Sequence, residues 1–335
     1  MATGGTARAQ NRLSEAGPAS PAPDSRVPRV STSGRKALLF ANVASRQGAV
    51  DLAPALEVLD AGGVRVLEQR PPDVGQLGAW ILAHHREADL VIIGGGDGTL
   101  NAAAEALIEA GLPLGILPLG TANDLARTLA IPTDLVEASR VIAHGHSHRI
   151  DLGRVNGKHF FNVASMGLSV RVARQLGVEV KRRWGMLGYP LTLWRAIGAH
   201  RSFRAEIRCN GAQARVRSMQ ISVGNGRHYG GGMTIATDAA IDDGMLDVVS
   251  VAPQGLVELI VNLPAFRWGR HERAQRVRHW RGREIEIRTV RPLPINTDGE
   301  VTTRTPAQVV VVPKAVAVYV PQAFLASLGA DHAAR

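Results

Sequence analysis

The chain has 335 residues, 45% hydrophobic and 20% charged, an ordinary globular composition that excludes wholesale disorder. A single cysteine, Cys209, excludes an intramolecular disulfide framework and a multi-cysteine metal cluster. Residues 1–150 carry 13 basic and 15 acidic residues, net −2, whereas the remainder carries 26 and 14, net +12. This asymmetry predicts two domains, the second facing an anionic partner: nucleic acid, a membrane surface or a phosphorylated substrate.

The N-terminus lacks the apolar core of a signal peptide, and no run approaches the roughly 18 apolar residues of a membrane span. Both features predict a cytoplasmic protein. Residues 1–34 are rich in Ala, Gly, Pro, Ser and Thr and are expected to form a disordered tail.

From residue 35 the chain alternates short apolar strands with helical patterns. Strands are predicted at 37–41, 64–67, 89–93 and 114–117, and helices at 52–59, 77–85 and 100–110. The region that follows the loop 118–124, to about residue 145, is again predicted to be helical. This pattern predicts an α/β domain over 35–148 with a mainly parallel sheet. Ligands bind at the carboxyl ends of such strands, where the loops 42–48, 94–99 and 118–124 lie.

After residue 150 the pattern is that of a mainly β domain, expected over 149–313. Turn signals such as Asn156-Gly157 and Asn210-Gly211 separate the strands. Helical insertions are predicted at about 166–200 and 254–272, and a strand and short helix in 314–335 that return to the first domain. The predicted strands are 151–155, 158–163, 205–209, 214–223, 245–251, 284–289, 293–297 and 308–312.

The segment Gly94–Thr99, between an apolar strand and a helix, favours phosphate binding. Its glycines let backbone N–H groups approach phosphate oxygens, and the helix N-terminus adds its positive dipole end. No lysine follows it as in a P-loop, and the spacing misses the dinucleotide fingerprint. Asp97 in its middle indicates that a cation or a hydroxyl is also present.

The segment Pro118–Arg127 repeats this arrangement after the next strand. Pro118 and Gly120 predict a tight turn, and Thr121 and Asn123 offer side-chain donors. Asp124 is either part of this site or a plain helix cap.

Together, Gly95–Thr99 and Leu119–Asp124 resemble the bacterial lipid kinases of the diacylglycerol kinase catalytic-domain family. This family is related to sphingosine and ceramide kinases and, more distantly, to NAD kinases and phosphofructokinases. The resemblance implies an NAD kinase-like α/β domain followed by a β-sandwich-like domain. It also implies ATP-dependent phosphorylation of a lipid hydroxyl, on diacylglycerol, phosphatidylglycerol or a sphingoid-type acceptor. The resemblance covers roughly residues 36–325 and continues at 161–167, 224–227, 230–232, 240–247 and 298–300.

The resemblance further implies that ATP lies between the two domains. Glu300, in Asp298-Gly299-Glu300, matches the family's general base, which is needed because a lipid hydroxyl is a poor nucleophile at neutral pH. Asp97 would orient the metal or the acceptor. The implied nucleotide-binding residues are Asn42, Ser45, Gly95, Gly96, Asp97, Gly98, Thr99, Leu100, Asn101, Gly120, Thr121 and Asn123.

Two magnesium sites follow from the same resemblance. In a structural site, Asp243 would supply a carboxylate and Ala240 and Met245 their carbonyls, an all-oxygen set that suits Mg²⁺. The alternative is an acidic turn that binds nothing. A catalytic Mg²⁺ would accompany ATP near Asp97.

Two departures from the family pattern leave other functions open. Ala102 stands where the family usually has Glu, and the first loop, Asn42–Gly48, lacks the family's proline. A nucleotide-binding regulatory protein without turnover is therefore one alternative. An NAD kinase-like enzyme with a soluble acceptor is another, although the second loop and the basic segments below argue against it.

Basic-aromatic segments at 181–184 and 266–283 predict peripheral contact with an anionic membrane. The alternative is that their aromatic residues are core and their arginines a solvated rim. Nucleic acid is not expected as a partner, since no recognition motif accompanies the charge. A homodimer is left open.

Overall fold

The computed structural model describes residues 34–42, 51–67, 73–168, 170, 202–229, 233–234, 239–254 and 276–333. Several predictions fall outside these ranges. They are the tail before residue 34, Ser45, the glycine run 230–232, the segment 181–184, residues 266–275 of the second basic segment, and most of the helical insertions predicted at 166–200 and 254–272.

The first half is an α/β unit whose four strands are parallel, in the order β2-β1-β3-β4. Every residue of β3 and β4 is buried, which explains their near-continuous apolar sequences. Helix α1 packs against α5, and α2 against α3. The elements are β1 (Arg35–Ala41), α1 (Ala53–Ala61), β2 (Val64–Leu67), α2 (Leu77–His84), β3 (Leu90–Gly95), α3 (Asp97–Ala110), β4 (Leu114–Pro118), α4 (Asp124–Thr128) and α5 (Leu135–His144).

The second half is mainly antiparallel β structure, which confirms the predicted fold class. Both predicted Asn-Gly turns are present: Asn156-Gly157 and Asn210-Gly211 have positive φ at both residues, as two-residue hairpin turns require. The elements are β5 (Ser147–Val155), β6 (Lys158–Phe160), β7 (Val163–Gly167), β8 (Phe203–Cys209), β9 (Ala212–Ser218), β10 (Gln220–Gly224), β11 (His228–Tyr229), β12 (Met233–Thr234), β13 (Leu246–Val251), β14 (Val277–Gly282), β15 (Glu284–Thr289), β16 (Pro294–Thr297), β17 (Glu300–Arg304), β18 (Ala307–Tyr319) and α6 (Gln322–Ala333).

Strand β18 joins the two halves into one sheet. It pairs in parallel with β4 at Val318 and antiparallel with β15 at Val310, giving the order β2-β1-β3-β4-β18-β15-β8-β9. Strand β5 also pairs with β18, and β6 with β5. The expectation of two separate strands here was wrong. Pro313-Lys314 interrupts the apolar pattern, but the register with β5 only shifts between Val312 and Val316 and then resumes.

A second sheet, in the order β14-β13-β10-β7-β16-β17, packs on the C-terminal part of the first. Apolar side chains of both sheets share one core: Met166, Val223 and Val248 come from the second sheet, and Ile207 and Ile285 from the first. This sandwich places β16, β17 and the turn between them beside the α/β unit.

Strand β14 is not among the predicted strands, because the basic-aromatic pattern of 266–283 indicates a surface segment. It pairs with β13 throughout its length, and Trp280 packs against the core of the sandwich. No helix within the described ranges is long and apolar enough to cross a membrane.

Candidate functional site

The predicted phosphate loop follows β3 and contacts the second loop through glycine backbones. A Cβ built on Gly96 would lie 3.0 Å from the Cα of Gly120, and one built on Gly120 would lie 2.5 Å from the Cα of Gly96. A Cβ on Gly95 would lie 2.6 Å from the Cβ of Thr99. Only glycine fits at such approaches, so these residues are required for packing as well as for any phosphate contact.

Asn42 joins the same edge of the sheet. It follows β1, and its backbone N–H donates to the carbonyl of Gly94 over 2.8 Å. The structure therefore brings the start of the first loop beside the other two, as expected for the carboxyl ends of parallel strands.

Asn123 shapes the second loop. Its Oδ1 accepts from the N–H of Gly120 and its Nδ2 donates to the carbonyl of Gly120, both over 2.9 Å. Its φ is +50°, a left-handed conformation that asparagine tolerates better than most residues. Thr121, in contrast, is exposed and free to face a ligand.

Asp97, the first residue of α3, bridges three segments. Its carboxylate accepts the backbone N–H groups of Asp124 and Leu125 over 3.1 Å and the Nδ2 of Asn162 over 3.2 Å. Asp97 therefore caps the N-terminus of α4, the role that the sequence offered to Asp124. Asp124 is instead the first residue of that helix and is buried.

Glu300 lies against the phosphate loop although it comes from the other half of the chain. A Cβ built on Gly98 would lie 3.9 Å from its Oε1. Glu300 is exposed at the start of β17, so its carboxylate is accessible. The predicted base and the predicted nucleotide loop thus meet across about 200 residues of sequence.

Asp298 is the most strongly held group of the site. Its carboxylate accepts the backbone N–H groups of Phe161 (2.6 Å), Asn162 and Val163 (3.0 Å each). It also accepts the Nδ2 of Asn101 over 2.9 Å. Burial raises its pKa to about 6, opposed by the three backbone N–H groups and reinforced by the negative charge of Asp97.

Two of the predicted nucleotide-binding residues use their side chains for contacts within the protein. The side chain of Leu100 belongs to the core of the α/β unit, which leaves only its backbone for a ligand. Asn101 uses its Nδ2 for Asp298 and for the carbonyl of His159 over 3.1 Å.

Asn162 and Asn225 lie in the site without having been assigned to it. Asn225 donates its Nδ2 to the carbonyls of Asp151 (2.7 Å) and Phe161 (2.9 Å). Both asparagines are buried, and among the described residues neither Oδ1 has a hydrogen-bond partner. Each lies one or two residues after a strand, within the ranges 161–167 and 224–227 that carry the family resemblance, and this position was the available signal.

Whether a metal fits beside Asp97 depends on the atoms that face it. Asn162 turns its Nδ2 toward the Asp97 carboxylate, so its own orphaned Oδ1 is not directed at a cation there. The Asp97 carboxylate is therefore the one side chain of this pair that offers Mg²⁺ an oxygen ligand as arranged.

The predicted structural magnesium site is arranged differently. Asp243 accepts the N–H groups of Met245 (2.9 Å) and Ala240 (3.4 Å), and its Oδ2 pairs with the guanidinium of Arg281. Burial raises the pKa of Asp243, and Arg281 opposes that shift. Within the described ranges no group of three His, Cys, Asp or Glu side chains could hold a metal. As arranged, these residues do not fit Mg²⁺ unless the guanidinium is displaced.

Two family models cover most of the chain. The diacylglycerol kinase catalytic domain matches residues 36–155, and the YegS C-terminal NAD kinase beta sandwich-like domain matches residues 162–320. These segments correspond to the α/β unit and to the β-rich half.

Curated relatives agree with the family models. The diacylglycerol kinase of Bacillus subtilis (strain 168) is 32% identical over 219 residues, which cover 64% of this chain and 72% of the relative. A Pseudomonas fluorescens (strain Pf0-1) protein named "Probable lipid kinase YegS-like" is 37% identical over 215 residues, 63% of this chain and 68% of the relative.

Among solved structures, a Bacillus anthracis (strain Sterne) protein described as a candidate diacylglycerol kinase superposes with a TM-score of 0.73. It is 27% identical, and the match covers 88% of this chain and 98% of that one. The fold, the motif order and the relatives confirm the resemblance found in the sequence. The chain belongs to the diacylglycerol kinase catalytic-domain family and is an ATP-dependent lipid kinase.

Proposed function

We propose that the chain transfers the γ-phosphoryl group of ATP to the hydroxyl of diacylglycerol, with Glu300 as general base. The observation that supports this assignment is the nearness of Glu300 to the predicted phosphate loop: a Cβ built on Gly98 would lie 3.9 Å from the Oε1 of Glu300. A general base has to lie within hydrogen-bond reach of the proton that it removes. The choice of diacylglycerol rests on the names of several relatives, such as the Bacillus subtilis enzyme.

The phosphates of ATP would lie at the N-terminus of α3. The first intrahelical bonds of this helix run from Thr99 and Leu100 to the carbonyl of Gly96, so the amides of residues 97 and 98 precede them. Such amides and the helix dipole favour anions. Thr121, on the adjacent loop, would provide a second contact.

Asp97 would hold the Mg²⁺ that accompanies ATP, and Asn162 orients its carboxylate through the Nδ2–H. The metal supplies charge neutralisation at the phosphate oxygens. Asp97 has a second task, because its bonds to Asp124 and Leu125 keep the two loops together. Its loss should therefore affect both nucleotide binding and the loop arrangement.

The acceptor brings the protein to a membrane surface. We propose a cytoplasmic enzyme that contacts anionic lipid peripherally through its basic segments, of which residues 276–283 are described. Four arginines lie there: Arg276, Arg278, Arg281 and Arg283. Arg281 is engaged with Asp243, and Arg276 donates to the carbonyl of Pro253 over 2.9 Å. Arg278 and Arg283, both exposed, are therefore the better candidates for headgroup contact. A homodimer is compatible with this proposal and is not required by it.

A lipid panel tests the assignment directly. Purified protein with Mg·ATP is assayed on diacylglycerol, phosphatidylglycerol and sphingosine in mixed micelles, and on NAD, with products read by mass spectrometry. Transfer to diacylglycerol is expected. Transfer to NAD would instead indicate the soluble-acceptor kinase, and tight ATP binding without transfer would indicate the regulatory protein.

Glu300→Gln should lower kcat by about 10²–10⁴-fold, the usual contribution of a general base, while ATP affinity stays nearly unchanged. Glu284→Gln is the matched control, because Glu284 is an exposed glutamate on β15. Equal activity of the two variants would remove Glu300 from the mechanism.

A further inference from the structure

Asp298 is a buried carboxylate that the proposed chemistry does not use. It begins the turn 298–299 between β16 and β17, two residues before Glu300, and is 8% exposed. Burying a charge or a polar group is costly unless donors compensate for the lost water. Four N–H groups donate to this carboxylate, three from the backbone of 161–163 and one from Asn101.

These donors come from both halves of the chain. Asn101 lies on α3, one helical turn after Asp97, so the two side chains share a face of that helix. Asp97 accepts a hydrogen bond from the Nδ2 of Asn162, and Asp298 accepts one from the Nδ2 of Asn101. The backbone N–H of Asn162 also donates to Asp298. The four residues therefore form a closed set of contacts between the phosphate-loop helix and the turn that carries Glu300.

The backbone of the turn is fixed as well. The N–H of Asp298 donates to the carbonyl of Val163 over 3.1 Å, and the N–H of Gly299 donates to the Oδ1 of Asn296 over 2.8 Å. Positive φ values of 47° at Asp298 and 107° at Gly299 reverse the chain between β16 and β17, which pair antiparallel. Glu300 itself is exposed, so its position depends mainly on this turn.

We propose that Asp298 is the positioning residue for Glu300: by accepting from Asn101 and from 161–163 at once, its carboxylate holds the turn against α3. This inference rests on the proposed function, because it assigns Asp298 a role only through the base at Glu300. Asp298 is buried, so we assign it no contact with the acceptor or the nucleotide. Its removal displaces the base, while the bonds from Asp124 and Leu125 to Asp97 still hold the two loops together.

The test is a double-mutant cycle between Asp298→Asn and Glu300→Gln. The asparagine is nearly isosteric but presents an N–H group to the donors of 161–163. We expect kcat to fall about 100-fold, the loss typical of a small misplacement, with the KM for ATP nearly unchanged. In a protein that already carries Glu300→Gln, adding Asp298→Asn should lower kcat by less than about threefold, because the base is already absent.

Asn101→Ala is a milder second variant, because it removes one of the four donors and leaves the three backbone bonds. Asn101→Ala should also lower kcat. In a protein that already carries Asp298→Asn, it should lower kcat little further. Asn156→Gly is the control: it removes a carboxamide that joins β5 to the β17–β18 segment, and glycine keeps the positive φ. It should lower the melting temperature without lowering kcat.

The outcomes separate the two proposals. If losses from Asp298→Asn and Glu300→Gln multiply, or if folded Asp298→Asn keeps wild-type kcat, the positioning role is wrong while the base assignment stands. If Glu300→Gln itself keeps wild-type kcat, both are wrong. A loss of kcat in Asn156→Gly equal to that in Asn101→Ala would show a general stability effect and overturn the positioning role.

Discussion

Replacing Gly120 with alanine should push the two glycine-containing loops apart. The added Cβ would lie 2.5 Å from the Cα of Gly96 and 2.6 Å from the Oδ1 of Asn123. Unstrained carbon contacts begin near 3.5 Å, so the loop has to move by about 1 Å. The obstacle at Gly96 is backbone, which no rotamer change can clear. Overpacking of this kind costs about 1–3 kcal/mol of unfolding free energy.

The same movement should damage nucleotide positioning, because Gly96 lies beside the N-terminus of α3. A misplacement of about 1 Å can cost about 100-fold in rate, so kcat/KM for ATP should fall by that order. The assays are ADP release with diacylglycerol micelles and urea unfolding. In the control Gly78→Ala, on α2, the new Cβ would lie 3.7 Å from its nearest neighbours, and the helix should gain up to about 1 kcal/mol. A folded Gly120→Ala protein with wild-type kcat/KM would refute the reasoning.

Two further predictions concern charge. Because the pKa of Asp298 is raised to about 6 from 3.8, the folded state holds this proton more tightly than the unfolded chain. The protonated Asp298 carboxyl therefore adds about 3 kcal/mol to the free energy of unfolding below about pH 4, and this contribution is lost as the pH rises through 6. Asp151 and Asp243, whose pKa values burial also raises, are present in both proteins, so urea unfolding at pH 4 and pH 7 should show a larger loss in the wild type than in Asp298→Asn; an equal pH dependence would contradict it. At Asp243, Mg²⁺ has to displace the guanidinium of Arg281, so Arg281→Met should show a larger rise in melting temperature than the wild type when millimolar MgCl₂ follows EDTA. Equal rises would show that Arg281 does not compete with the metal.

Local patterns in the sequence predicted most elements of the α/β unit. The strand Val64–Leu67 was predicted at its observed bounds, and the helix predicted at 77–85 is α2, Leu77–His84. Such predictions succeed because strand and helix periods depend on neighbouring residues. Strand β14 was missed for the same reason: its arginines and aromatic residues suggest a surface segment, and its pairing with β13 is a non-local contact.

Strand β18 shows the limit of local reasoning more clearly. Pro313-Lys314 breaks the apolar pattern, and the predicted boundary at residue 313 falls inside the strand. Continuous pairing with β5 on both sides of the break keeps the strand intact. The partner strand is about 150 residues away in sequence, beyond the reach of any periodicity argument.

Motif content and motif order, read from the sequence, determined the family, the α/β and β-rich halves, and the residue types of the site. Tertiary structure alone decided which of these residues meet. It set Glu300 against Gly98, made Asp97 the cap of α4, and enclosed Asp298 between Asn101 and the backbone of 161–163. The physical reason is that hydrogen bonds to a buried carboxylate depend on the approach of donors from distant segments, which residue types along the chain do not specify.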